Sequence, residues 1–310
     1  MSQNTWAQEK ERGSLLLMRF TAWCARHLGR RLISPLLHVI VLYFFIFGRR
    51  ARQSIYTYQS QLAKFAPEQQ PAASYWRVFQ QFMCFAEALL DKLDAWQGKI
   101  QRQQLLFNDP ELIPRLQRQG QGVLLMGSHL GNLEVCRAMA QLTDRVPLNV
   151  LVHTKHAVQF NQLLGDSGAS HLNLLQVTEV GPDTMMMLNE RLARGEWVVI
   201  VGDRIPVHGG RTVEVDFLGA KAPLPQGPYL LAGLLQCPVY LLFCLRQGKQ
   251  FRIDLEHFSD GIRWKRSTRE AVIAEQAQRY ADRLAEQCLR APLQWFNFYP
   301  FWSSHAPRQD

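Results

Sequence analysis

The sequence has no G-x-S-x-G turn and no P-loop, and nowhere does a G-x-G-x-x-G follow a strand. A serine hydrolase of the elbow type needs the first to lift its nucleophile above a sheet. Nucleotide-binding folds need one of the others to wrap phosphate in backbone N–H groups, so both classes are disfavoured. Gly165-Asp166-Ser167-Gly168 comes nearest to an elbow and lacks a strand before it. The six cysteines, Cys24, Cys84, Cys136, Cys237, Cys244 and Cys288, include no CxxC pair and none at metal-site spacing to a histidine. Most lie in apolar stretches and read as buried reduced thiols of a cytosol-facing domain, with no catalytic role and no metal. Long apolar runs are scarce too. The block Leu32 to Phe47 falls short of the roughly 20 residues of a straight membrane-spanning helix, and Pro35 and His38 weaken it further. No internal repeat, low-complexity tract or linker divides the chain, and no nucleic-acid-binding module is recognisable.

What is present is an ordinary globular composition, 47% hydrophobic and 20% charged over 310 residues. That excludes both intrinsic disorder and a polytopic membrane protein, and leaves room for one large α/β domain with an appendage. The division read from the sequence is an N-terminal amphipathic, membrane-anchoring segment over 1–52 and a catalytic domain over 53–310. A net charge of +9 calls for anionic partners: nucleic acid, anionic lipid headgroups or an acidic carrier protein. Much of the early excess brackets the apolar block, Arg26, Arg30 and Arg31 before it and Arg49, Arg50 and Arg52 after it. With Tyr43, Phe44, Phe45 and Phe47 at the arginine-rich end, this arrangement favours membrane attachment over an ordinary buried helix. A short spanning helix and a monotopic hairpin stay open. A cleaved signal peptide is disfavoured by the distance from the start.

From Gln53 to Trp96 the spacing is helical, with Tyr75, Val78, Phe79, Phe82, Phe85, Ala86, Leu89 and Leu90 as a core-facing stripe. Beyond Asn108-Asp109-Pro110 and a short helix, the pattern alternates. Strands are expected at Gly122 to Met126, Leu148 to Val152, Trp197 to Val201 and Thr212 to Leu218, with an antiparallel pair at Val239 to Leu245 and Phe251 to Leu255. Helices are expected at Leu133 to Leu142, Asp183 to Ala193, Pro228 to Leu235 and Ser267 to Leu289. Such alternation argues for an α/β sheet.

The segment that carries chemistry is Gly127-Ser128-His129-Leu130-Gly131-Asn132-Leu133-Glu134. It follows a buried strand and opens a helix, which puts His129 at a strand's carboxyl end, where open α/β sheets hold their ligands. Glu134 falls in the first helical turn, favoured there by the helix dipole and within reach of the imidazole. A histidine held by a carboxylate is a general base, and it needs no protein nucleophile when an acceptor hydroxyl attacks. The competing reading makes Asn132 a helix cap and His129 incidental. Arg204, after the strand ending at Val201, reads either as a phosphate or oxyanion ligand or as an ion pair with Asp203 or Glu214.

These residues resemble the lysophospholipid acyltransferase superfamily, in particular the branch of late acyltransferases of bacterial lipid A biosynthesis. Gly127 to Glu134 looks like that branch's form of the His-x4-Asp/Glu motif. Gly202-Asp203-Arg204 is similar to its Gly-Asp-Arg block, and Asp216-Phe217-Leu218-Gly219, Pro225-Gln226-Gly227-Pro228 and Leu231-Ala232 follow in the same order. The resemblance implies a mixed α/β sheet flanked by helices behind an N-terminal membrane-associating helical segment. It implies His129 and Glu134 as the catalytic pair, Gly131, Asn132, Asp203, Arg204 and Lys155 on the substrate and oxyanion side, and no metal or other cofactor. The acyl donor is expected to be an acyl-carrier-protein or coenzyme A thioester, and the acceptor a hydroxyl of a membrane lipid or glycolipid. The expected place is the bacterial inner membrane, catalytic domain toward the cytoplasm, with no nucleic-acid partner.

Two stretches depart from the lipid A enzymes. Where a basic pair and an arginine-rich helix are expected stand Val152-His153-Thr154-Lys155-His156, and the C-terminal end reads Gln294-Trp295-Phe296-Asn297-Phe298-Tyr299-Pro300-Phe301-Trp302. That ending, together with Glu11-Arg12-Gly13-Ser14, resembles the predicted-acyltransferase branch found with aryl polyene pathways. Lipid A itself as acceptor and a noncatalytic lipid-binding assembly protein remain as alternatives. The aromatic end reads either as core packing or as the wall of an apolar trench.

Overall fold

The computed structural model describes residues 29–135, 146–152, 172–176, 181–205 and 210–302. Its centre is a seven-stranded sheet in the order β1-β9-β8-β2-β5-β3-β4. The strands are β1 (Leu105–Phe107), β2 (Leu124–Gly127), β3 (Leu148–Val152), β4 (Leu172–Gln176), β5 (Trp197–Val201), β8 (Val239–Gln247) and β9 (Gln250–Ser259). Neighbours are parallel except β8 and β9, which form a hairpin. β6 (Thr212–Phe217) and β7 (Ala220–Pro225) form a separate antiparallel ribbon. The expected mixed sheet flanked by helices is present.

β2 lies between β5 and β8, and all four of its residues are buried. A strand covered on both faces must be apolar throughout, as Leu-Leu-Met-Gly and the Trp-Val-Val-Ile-Val of β5 are. Alternate side chains feed two cores, because successive residues of a strand point to opposite faces. Leu124, Met126, Val198, Ile200, Leu241 and Phe243 join one, with Ile273, Ala277 and Leu284 of the last helix. Val123, Leu125, Val199, Leu242 and Cys244 join the other, with Ile113 and Leu116.

The helices are α1 (Gly29–Phe47), α2 (Arg49–Phe65), α3 (Tyr75–Trp96), α4 (Leu112–Arg118), α5 (Pro182–Ala193), α6 (Gly227–Leu235) and α7 (Arg269–Arg290). The helical stretch expected from Gln53 to Trp96 is two helices, α2 and α3. Pro67 and Pro71 fall between them, where their missing N–H groups and fixed φ end one helix, and Ser74 Oγ starts the next by accepting from Arg77 N at 3.3 Å. The stripe of α3 is also only partly core. Val78, Phe82 and Ala86 pack against Leu37, Val41 and Ile55, while Tyr75, Trp76 and Leu89 are exposed. The helix expected over Leu133 to Leu142 begins at 133–135, and the rest lies outside the described residues. No helix among the described residues is long and apolar enough to cross a membrane.

Candidate active site

The register of two strands sets the site. β2 and β5 run parallel with Gly127 opposite Val201. Two residues beyond each strand's end, His129 and Asp203 therefore meet over the carboxyl edge of the sheet. The His129 main-chain N–H donates to both oxygens of the Asp203 carboxylate, at 3.0 and 2.9 Å. Its ring Nδ1 lies 2.7 Å from Asp203 Oδ1. The His129 side chain is 30% exposed and that of Asp203 is 0%.

Asp203 receives two further donors from the C-terminal segment. Trp295 Nε1 reaches Oδ2 at 3.0 Å and Asn297 Nδ2 reaches it at 3.1 Å. Burial alone raises the Asp203 pKa. The charge and hydrogen bond of His129, with the charge of Arg204, outweigh burial and hold the carboxyl below its ordinary value. A buried carboxylate is tolerated when its lone pairs are filled in this way.

The segment carrying Trp295 runs beside the histidine loop. Leu130 bridges Trp295 in antiparallel fashion, Phe296 N donates to His129 O at 2.9 Å, and Gly131 N donates to Gln294 O at 2.8 Å. The Gln294 amide is fixed in turn by Arg246 N and Arg246 O, each at 2.9 Å. Behind it, Gln59 Nε2 of α2 donates to Gln81 Oε1 of α3 at 2.9 Å, and Gln81 Nε2 donates to Trp295 O at 2.8 Å.

The carboxylate of Glu134 meets Lys92 Nζ of α3 at 2.9 Å. Asn132 accepts from Glu134 N at its Oδ1 (3.2 Å) and donates from Nδ2 to Ala88 O (2.8 Å), so it starts the helical turn and ties it to α3. The capping role weighed for Asn132 is therefore real and coexists with a structured His129. Gly131 has φ +73°, a backbone conformation suited to glycine. Arg204 is partly buried and donates through Nε to Asn297 Oδ1 at 2.7 Å and through a terminal nitrogen to Phe296 O at 2.8 Å. Burial lowers its pKa, opposed by the charges of Asp203 and Tyr299. Lys155 and His156 lie outside the described residues.

Sequence reasoning missed Trp295 and Asn297. The signal was there in retrospect: a buried indole N–H needs an acceptor, and an asparagine set between phenylalanines is out of place in a purely apolar wall. Of the aromatic end, Trp295, Phe296 and Phe301 are buried. Trp295 packs against Tyr58, Phe217 and Phe301 with ring centroids 4.9, 5.3 and 4.9 Å apart. Among the described residues no three metal-ligating side chains cluster as a metal site requires. Cys84, Cys237, Cys244 and Cys288 are free thiols, and burial pushes Cys84 and Cys237 up to about 11, away from thiolate chemistry.

The site therefore offers an imidazole at the carboxyl edge of a sheet, its Nδ1 side occupied by an ionised carboxylate. Comparison with curated proteins gives no match. The family described as bacterial lipid A biosynthesis acyltransferase matches residues 12–304, nearly the whole chain, and the chain belongs to that acyltransferase family.

Proposed function

We propose that this acyltransferase moves a fatty acyl group from an acyl-carrier-protein or coenzyme A thioester to a hydroxyl of a lipid or glycolipid acceptor, with His129 as general base. The acceptor oxygen attacks the thioester carbonyl carbon as His129 takes the hydroxyl proton. The tetrahedral oxyanion then collapses, the carbon–sulfur bond breaks, and the imidazolium returns the proton to the departing thiolate. No protein nucleophile or cofactor is called for. The observation that carries this reading is the partly exposed His129 ring at the sheet edge with a carboxylate on its Nδ1.

Glu134, five residues on in the same turn, is the acidic partner that the motif implies and adds negative charge beside a developing imidazolium. Gly131 and Asn132 hold the loop in shape. The charge of Arg204 favours the developing oxyanion, and the positive charge of Lys155 is the one proposed to attract anionic groups of the acceptor. An acidic carrier protein suits the basic surface, and the lipid acceptor enters from the membrane. The working place is the cytoplasmic side of a bacterial inner membrane.

The family, described as one of lipid A biosynthesis, favours lipid A as the acceptor. Lipid mass spectrometry decides between it and another lipid. Cells lacking the gene are expected to lose one acylated species, which the wild-type gene restores and His129→Ala does not. An unchanged lipid profile, or restoration by His129→Ala, contradicts the proposal and favours a noncatalytic assembly role.

A further inference from the structure

We propose that Asp203 is the positioning carboxylate of this site: it fixes the Nδ1–H tautomer of His129, and the Trp295–Asn297 segment holds it to that task. The inference rests on the acyl-transfer reading and assigns to a distant segment the role that the His-x4-Glu spacing alone gives to Glu134.

An ionised carboxylate has only acceptor sites, about four lone-pair positions on two oxygens. Asp203 is met by His129 N, His129 Nδ1, Trp295 Nε1 and Asn297 Nδ2, all within 3.1 Å. The first, third and fourth are donors in every protonation state. A Nδ1 that lies 2.7 Å from the same carboxylate must then carry a hydrogen, since a lone pair there would face a negative oxygen. With the proton on Nδ1, the lone pair of the neutral ring belongs to Nε2. That nitrogen takes the hydroxyl proton, and the charge of Asp203 stabilises the imidazolium that results.

Three observations set Asp203 apart from Glu134 in this role. Asp203 is fully buried, so its attraction for the ring is little screened by water. Glu134 is partly exposed and meets Lys92 at 2.9 Å. Asp203 also grips the histidine twice, by main chain and by ring, which fixes ring rotation as well as tautomer. Among the described residues, Arg204, Tyr229, Tyr280, Tyr299 and Cys288 also feel the Asp203 charge. Burial and the Asp203 charge both keep the three phenols and the thiol in their neutral forms. Asp203 is thus held as an anion by Arg204 and His129.

The direct test reads the tautomer in the intact wild-type protein by 15N NMR of histidine rings, with the His129 signals assigned by their loss in His129→Gln. Above the pH at which His129 loses its charge, the expected result is a protonated Nδ1 and an unprotonated Nε2. A proton on Nε2 overturns the proposal, whether or not the protein transfers acyl groups, so the two readings fail separately. Kinetics give the second arm. Asp203→Asn is expected to lower kcat by about 100-fold or more with KM changed little, the range typical of lost acid–base catalysis, and to populate the other tautomer. Trp295→Phe keeps the ring packing but removes one donor, and is expected to lower kcat less and leave the tautomer intact. A folded Asp203→Asn with wild-type kcat contradicts the assignment.

Discussion

Gly131 holds φ at +73°, and a Cβ added there would sit 2.0 Å from Cys244 O and 2.9 Å from Cys244 C. The first property disfavours any L side chain and the second leaves no room for one, since the obstacle is backbone. Gly131→Ala is therefore expected to destabilise the fold by more than about 1 kcal/mol and to displace the neighbouring His129. Urea unfolding with a parallel acyl-transfer assay checks this, and a variant with unchanged midpoint and turnover refutes it. At this scale the motif residues were legible because their types and spacing are local. The partnership of His129 with Asp203 was not, because it depends on how β2 and β5 are aligned across 74 residues of chain. Trp295 and Asn297 were hidden for a related reason: the Phe-rich context speaks for packing, and a side-chain donor's target cannot be read from its neighbours in sequence.

Among the elements, α1 is unusual in being apolar on two faces. Leu37 and Val41 pack on α3, while Val39, Leu42, Tyr43, Ile46 and Phe47 face outward, Val39 at 65% and Phe47 at 59% exposure. Exposed Trp76, which stacks on Phe79 at 5.7 Å, extends this apolar surface to α3, because Phe79 meets Phe45 of α1 at 5.5 Å. A second apolar face on a helix is ordinarily covered, and Arg49 and Arg50 just beyond it suit anionic headgroups. The proposed membrane contact is thus one of lying on a surface. The triple variant Leu42→Ser, Ile46→Ser, Phe47→Ser removes only exposed apolar groups, each worth about 1.5–3 kcal/mol when fully buried. It is expected to lower binding to phosphatidylglycerol-containing vesicles by at least about 10-fold at unchanged thermal stability. Flotation equal to wild type refutes the contact.

The same scale shows which elements a sequence betrays. β5 and β3 match their expected bounds because a continuous apolar run between breakers is a strong signal. β7 escaped because Pro223 and Pro225 argue against a strand, and it is tolerated as half of a two-stranded ribbon. β1, three residues long, was too short to show a period. The break between α2 and α3 was written in Pro67 and Pro71, but the apolar spacing on either side masked it.

For the whole molecule, hydrogen bonds connect distant parts of the chain to one imidazole. Gln59 and Gln81 hold Trp295 from the helical side, Trp295 and Asn297 hold Asp203, and Asp203 holds His129. The α1–α3 layer that bears the exposed apolar face is thereby tied to the His129 loop, also through Asn132 and Ala88. An acyltransferase working at a lipid surface needs such a connection, because its acceptor's orientation is set by the membrane and its base by the sheet. The most direct test of this account is thiol release from an acyl thioester by the purified protein, with and without acceptor lipid, for wild type and His129→Ala. Acceptor-dependent release by wild type, with His129→Ala slower by at least about 100-fold at the same melting temperature, is the predicted result. Undiminished release by folded His129→Ala would contradict it.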